Sequence, residues 1–431
     1  MITMVRIIGA GLAGVEAANY LANKRIPVKL YEMRPKRMTP AHRTGMMAEL
    51  VCSNSFRSLD EHNAVGLLKR EMETIGSLVL AAAKRTSVPA GSSLAVDRTL
   101  FSQAIEASIA DNPHIEVIRK EVDAIDVNSP TIIAAGPLAS DSLASAIASL
   151  LEQEHLHFFD AIAPIIAFDS IDMDTCYFKS RYDKGEASYI NCPMDERTYS
   201  AFYQALISAD THPLKDFEND VFEGCMPIEV MAKRGPQTVL YGPLKPVGLA
   251  RDPDHRPHAV IQLRQDDAKK SMYNIVGFQT NLTWPEQKRV IRMIPGLEQA
   301  RILRYGVMHK NTYIESPQVL NQSYQMKEYP NLFFAGQISG VEGYIESAAS
   351  GLNAAVQMAL WLENEPLKPF PEETVIGAMA HYVATPNASF KPMNANLGLL
   401  PGLGEKHRKK DRKALYRKRS LSALSDYLED L

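Results

Sequence analysis

A chain of 431 residues with 45% hydrophobic side chains can bury a substantial core and is long enough for two or three domains. Its 47 Lys and Arg against 50 Asp and Glu leave a formal charge of −3, which excludes a global attraction to polyanions, so any nucleic-acid footprint must come from local clustering. The four cysteines, Cys52, Cys176, Cys192 and Cys225, form no Cys-x-x-Cys pair, so spacing supports no zinc site and no redox dithiol, and no metal is expected.

The opening segment is apolar, but its glycines and Glu16 interrupt the run before the roughly 18 residues that a membrane span needs. It resolves instead into a strand (Val5–Ile8), a glycine turn (Gly9–Gly14), a helix (Val15–Ala22) and a second strand (Val28–Tyr31). A cytoplasmic protein with no membrane association is expected. Helical spacing of apolar residues runs from Asn63 to Ala83 and again from Leu100 to Ile109. His114–Ile118 and Val122–Val127 read as small strands, Thr131–Ala135 as a buried strand entering Gly136, and Ser140–Gln153 as a helix.

From Asp160 to about Leu282 the texture changes to short apolar stretches split by Pro, Gly, Asp and Asn, among them Ala161–Phe168, Ala187–Ile190 and Thr238–Tyr241. This region reads as an inserted, mostly β domain. Leu332–Ala335 is again a buried strand, and Ala348–Leu362 a long helix. Pro366, Pro369 and Pro371 mark a linker, after which nine Lys and Arg lie between Lys406 and Arg419 against Asp411 alone, leaving the remainder of the chain acidic. The tail is expected to be an amphipathic helix with Leu415, Leu421, Leu424 and Leu428 on its apolar side.

The expected fold class is α/β: a Rossmann-like FAD-binding domain with an inserted mixed α/β domain. Residues 1–160 and 325–431 would form the FAD-binding domain, the second part ending in the basic helix. Residues 161–324 would form the inserted substrate domain.

Gly9-Ala10-Gly11-Leu12-Ala13-Gly14 follows a strand and opens a helix, the context in which this pattern binds a dinucleotide. Gly9 permits the tight turn, Gly11 the approach of a pyrophosphate, and Gly14 close helix–strand packing, while the helix N-terminus favours the anion. Glu32 ends the second strand, where a carboxylate can hold a ribose hydroxyl, and Arg34 follows it. A second strand, glycine turn and small-residue helix recurs late, at Gly336, Gln337, Gly340, Gly343, Tyr344 and Gly351, with Gly136 ending an earlier strand. A second helix N-terminus of this kind suits the ribityl and pyrimidine end of a flavin and points to FAD over NAD alone.

Cys52 lies in the polar loop Val51–Ser55, close in sequence to Arg34, His42, Arg43 and Arg57, cations that would favour a thiolate and an anionic substrate. Cys225 sits in a Gly/Pro turn of the inserted region. For each, a small buried hydrophobe is the competing reading, and Cys176 and Cys192 carry only that one.

With these residues in view, the chain resembles the folate- and FAD-dependent tRNA uracil-5-methyltransferase family over essentially its full length. The matching segments include residues 5–14, 30–35, 39–42, 48–55, 63–69, 88–91, 95–98, 223–229, 276–282 and 333–351, with Leu244 departing from the family's Pro-Lys-Pro-Val-Gly. The resemblance implies FAD reduced by NAD(P)H, methylenetetrahydrofolate as one-carbon donor, and methylation of uracil at carbon 5 in tRNA, the T-loop uridine becoming ribothymidine; the same chemistry on 23S ribosomal RNA is the alternative. It also implies that Cys52 and Cys225 are the two functional cysteines, with Cys225 favoured as nucleophile and Cys52 as general acid/base beside the flavin. The basic tail would grip RNA phosphates or form a solvated charged face.

Overall fold

A computed structural model describes residues 4–39, 41–152, 156–213, 226–252, 254–387, 390–404 and 407–431, with the backbone alone for 156–160, 309 and 310. Cys225 and Lys406 therefore lie outside the described residues.

Five short strands build a parallel sheet in the order Leu332–Phe334, Thr131–Ile133, Val5–Ile8, Val28–Tyr31, Ile115–Ile118. The central strands read as unbroken β-branched and aromatic runs because helices cover both faces: Ile7, Ile132, Ile133, Phe333 and Phe334 are all fully buried. The helices Leu12–Asn23 and Tyr344–Leu362 pack directly on one another and against this sheet.

A two-stranded antiparallel ribbon, Leu156–Ala161 with Met308–Tyr313, carries the chain out of this layer and back. Between its strands the chain forms a six-stranded antiparallel sheet, from Tyr177–Phe178 at one edge to Ile302–Arg304 at the other. That sheet has its own core, in which Ile190, Ile261, Tyr273 and Phe278 meet Phe202 and Ile291 of the covering helices.

Four expectations need correction. The helical run from Asn63 to Ala83 is two helices, Ala64–Ile75 and Leu78–Arg85, because Gly76 adopts φ +96° and Ser77 caps the second helix through Leu80 N–H. Val122–Val127 forms no strand: Asp123 and Asp126 interrupt it, and the Asp126 side chain organises a turn with Asn128 and Ser129. Thr238–Tyr241 belongs to a helix, Pro236–Tyr241, started by Gly235 and Pro236. In the C-terminal helix, Arg412–Glu429, Leu424 is buried and Leu421 and Leu428 pack half-buried on the core as expected, but Leu415 is exposed and Tyr416, Ser420 and Tyr427 complete the buried side.

Two buried carboxylates lock helices to the core. Glu16 accepts from Leu78 and Val79 N–H, both at 3.0 Å, and Glu71 accepts from Val375 and Ile376 N–H at 2.8 and 2.9 Å and from the Ser420 hydroxyl at 2.6 Å. Burial raises each carboxyl from 4.5 to about 7, against the lowering effect of these hydrogen bonds. Through Ser420, Glu71 also fixes the C-terminal helix to the parallel-sheet layer.

Candidate active site

At the end of the first strand Gly9 has φ +103°, and a Cβ there would lie 2.6 Å from the Ala134 carbonyl oxygen. Gly14 is pressed against the Gly9 carbonyl, so no side chain fits there either. Gly11 differs: a Cβ would meet nothing within 4 Å, so the turn opens onto free space at the N-terminus of the helix Leu12–Asn23. Ala10, Leu12 and Ala13 are buried beneath this turn.

Glu32 borders a cavity with Gly9, Gly11 and Arg34. Its carboxylate accepts from Ala10 N–H at 3.2 Å and from Arg34 Nε at 2.9 Å, and Arg34 also reaches Glu49 at 3.1 Å. Burial pushes the Glu32 carboxyl up, but the Arg34 guanidinium and the N–H donors outweigh it and hold the group below its ordinary range. A fixed, ionised carboxylate beside an open glycine turn and a helix N-terminus suits a ribose and a pyrophosphate.

The late glycine segment lies against the first. The Gly336 N–H donates to Ser350 Oγ at 2.7 Å, and a Cβ on Gly336 would sit 3.2 Å from that of Ala13. Gly351 packs on the Ala13 backbone, where a Cβ would be 2.7 Å from both Ala13 C and Cα. This contact lets the two helices cross closely and places their N-termini at one end of the sheet. Gln337 is hydrogen-bonded to Glu342, Gly343 caps the helix Tyr344–Leu362, and Gly136 also opens onto free space.

Tyr344, the first residue of that helix, connects the glycine segments to the cysteine loop. Its hydroxyl oxygen accepts from Cys52 N–H at 2.8 Å and from Ser53 N–H at 3.0 Å. Burial and the neighbouring Cys52 push the Tyr344 phenol well above its ordinary range, opposed by Arg98 and by the two N–H donors. The Cys52 thiol is half-buried and lies 3.9 Å from the Ala161 carbonyl oxygen, at the end of the ribbon strand.

Of the cations expected around this loop, three are engaged by other partners. Arg34 is engaged by Glu32 and Glu49, Arg57 pairs with Glu346, and the His42 ring lies 2.6 Å from Thr39 Oγ1. Three sequence-distant arginines hold the loop instead. Arg98 donates to the Leu50 carbonyl and pairs with Asp266 at 3.1 Å. Arg264 donates to Ser53 Oγ at 2.8 Å and Asn54 Oδ1 at 3.0 Å, and Arg304 donates to the Val51 carbonyl at 2.8 Å. Burial and the guanidiniums of Arg98 and Arg43 lower the Arg304 pKa, so Arg43 does contribute to the local field. Arg98 stands in the matching segment 95–98, whereas Arg264 and Arg304 carried no motif that could have marked them.

The chain flanking 214–225 is fastened to one neighbouring stretch. His212 N–H donates to the Asn281 carbonyl at 2.9 Å, Ile228 N–H to the Gln279 carbonyl at 2.7 Å, and the Glu229 carboxylate accepts from Asn281 N–H at 2.7 Å. Cys176 and Cys192 are buried in the second core with their sulfurs 3.3 Å apart, away from these loops.

Residues 4–366 match the family described as glucose inhibited division protein A. The chain is 60% identical over 426 residues, 99% of each chain, to the methylenetetrahydrofolate--tRNA-(uracil-5-)-methyltransferase TrmFO of Acholeplasma laidlawii (strain PG-8A). It is 55% identical over 424 residues, 97% of each chain, to the protein of that name from Bacillus subtilis (strain 168). Among solved structures, Aquifex aeolicus GidA superposes with a TM-score of 0.72 at 16% identity, over 98% of this chain and 72% of that one, a likeness of fold.

Proposed function

The chain belongs to the methylenetetrahydrofolate–tRNA-(uracil-5-)-methyltransferase family, and on that premise we propose that it methylates carbon 5 of a T-loop uracil in tRNA. Methylenetetrahydrofolate is the carbon donor, and FAD reduced by NAD(P)H is the cofactor. The relatives reported above are named for tRNA, which removes the support for 23S ribosomal RNA as the substrate.

The residues fit FAD. Gly11 leaves a cradle that a Cβ would enter, Glu32 offers a fixed carboxylate to a ribose, and the helices Leu12–Asn23 and Tyr344–Leu362 present two N-termini to the phosphates and to the pyrimidine edge. When bound, FAD supplies the reducing electrons and the route by which the one-carbon unit reaches uracil.

The protein must supply the rest. Carbon 5 of uracil becomes nucleophilic only when a nucleophile adds at carbon 6, and a base must then remove the carbon 5 proton. We assign the nucleophile to Cys225, outside the described residues, and the proton transfer to Cys52. The observation that carries this reading is the Tyr344 hydroxyl, which ties the Cys52 loop to the N-terminus of the second glycine helix and so makes the nucleotide fold and the thiol parts of one site. Arg98, Arg264 and Arg304 hold that loop and give it a positive surrounding suited to an anionic substrate.

In this reading 1–160 with 325–431 holds FAD, and 161–324 serves the substrates. A protein that acts on tRNA, as its relatives are named to do, would act in the cytoplasm. Among the described residues no helix is long and apolar enough to cross a membrane. The test is incubation of the flavin-loaded protein with methylenetetrahydrofolate, NAD(P)H and either transcribed tRNA or 23S fragments, with the methylated base mapped by mass spectrometry. A methyl group on carbon 5 of the T-loop uracil is expected; methylation of the ribosomal fragments alone would reverse the substrate assignment.

A further inference from the structure

Trp284 opens the helix Trp284–Ile291 and is 55% exposed. Its indole stacks on the ring of Tyr305, with centroids 5.3 Å apart and planes 17° from parallel. Hydrophobic burial does not explain this pair, because a large indole more than half open to water contributes little to a core. The pair is tied to the reactive loop by two connections, and its two halves are tied to each other by a third. Arg304, the residue before Tyr305, holds the Val51 carbonyl next to Cys52 at 2.8 Å, and its Nε has no hydrogen-bond partner among the described residues. Gly306, the residue after Tyr305, donates to Gln287 Oε1 at 2.8 Å on the Trp284 helix. Val307 accepts from Ile162 N–H at 2.9 Å, and the preceding carbonyl, that of Ala161, faces the Cys52 thiol. Exposed cations lie in the neighbourhood: Lys288 is one helical turn beyond Trp284, and Arg43 contributes to the field at Arg304, the residue before Tyr305.

A uracil in folded RNA is reachable only after its nucleotide leaves the stack, and the bases it leaves behind lose a stacking partner. An open aromatic face next to guanidinium groups is the side-chain arrangement that replaces such a partner, since any base can stack on it while the cations meet the phosphates. We propose that the Trp284–Tyr305 pair is a nucleobase platform beside the Cys52 loop, on which a base of the RNA substrate stacks while the target uridine is drawn into the site. The proposal rests on the reading of the protein as an RNA uracil methyltransferase and adds to it the residues that hold the RNA open.

The test compares wild type, W284A, W284F and Y305A as flavin-loaded proteins, with equal flavin content as the check of folding and transcribed tRNA as the probe. Base stacking of this kind predicts that W284A and Y305A raise the tRNA dissociation constant roughly five- to a hundred-fold, with W284F, which keeps a ring, within about three-fold of wild type. The sequence holds two tryptophans, so the difference in emission between wild type and W284F reports Trp284 alone, and tRNA should quench it. If wild type methylates tRNA while W284A binds it as tightly as wild type and no quenching occurs, the platform is overturned. Quenching by methylenetetrahydrofolate instead, with only the folate KM raised in W284A, would assign the pair to the co-substrate and overturn the RNA assignment. A wild type that neither binds nor methylates tRNA would overturn the underlying reading and the platform with it.

Discussion

Tyr344 and Cys52 lie 292 positions apart, yet the hydroxyl of one receives the backbone N–H of the other at 2.8 Å, and that of Ser53 at 3.0 Å. Tyr344→Phe removes the acceptor and leaves two partly buried donors unsatisfied, at a cost of about 1–3 kcal/mol each. The Cys52 loop should loosen, and methyl transfer should fall by roughly ten- to a hundred-fold, with flavin content preserved because Gly11 and Glu32 are untouched. Amide hydrogen exchange at 52 and 53 should speed up in parallel; unchanged exchange with unchanged turnover would remove Tyr344 from the site.

Gly11 and Gly351 separate cofactor binding from packing. A valine at 11 enters free space, so Gly11→Val should fold normally and lose its yellow flavin. Any side chain at 351 collides with the Ala13 backbone, so Gly351→Val should lower Tm and prevent the close crossing of the two helices. Absorbance of the purified variants together with thermal melting distinguishes the two; a G11V protein with full flavin content would contradict the cradle.

Glu71 makes stability depend on pH. Its folded-state pKa, about 7, lies above the ordinary 4.5, so its contribution is fully present below pH 4.5 and is lost as pH rises through 7. Each such group gives a slope of up to about 1.4 kcal/mol per pH unit in that window, and Glu16 adds a second. Glu71→Gln, which keeps this buried position neutral, should show a shallower pH dependence of stability between 4.5 and 7. Parallel wild-type and variant curves would mean that Glu71 is ionised throughout.

How far the sequence reveals this site depends on the distance over which each part is determined. The turn Gly9–Gly14 is legible because its requirements are local: Gly9 needs a positive φ, and Gly14 has no room for a Cβ. The break at Gly76-Ser77 is also encoded locally, as a helix-ending glycine followed by a capping serine, but apolar periodicity runs through it and hides it. The two arginines that reach the Cys52 loop from the second sheet are not legible. Arg264 and Arg304 arrive on strands of the second sheet, and the nearer cations Arg34 and Arg57 are taken by the partners Glu32, Glu49 and Glu346.

The basic tail divides into structural and exposed cations. Arg417 pairs with Glu61 at 2.6 Å, and Arg419 donates to the carbonyls of Pro401 and Gly402, whereas Lys409, Lys410 and Arg412 are exposed. Charge reversal at Lys409, Lys410 and Arg412 should weaken tRNA binding and flatten its salt dependence by roughly 0.7–0.9 log units for each phosphate no longer neutralised, raising KM more than it lowers kcat. Arg417→Glu should instead lower Tm. Identical salt slopes for wild type and the reversed variant would leave the tail as a solvated face.

The most direct measurement of the central claim is the release of tritium from carbon 5 of uridine in labelled tRNA by the flavin-loaded protein. With methylenetetrahydrofolate and NAD(P)H present, release should match methyl incorporation one for one, because the carbon 5 proton must leave for each methyl group that remains. Both should vanish in Cys225→Ala. Methyl incorporation without loss of tritium, or undiminished in that variant, would contradict addition of Cys225 at carbon 6 followed by removal of the carbon 5 proton.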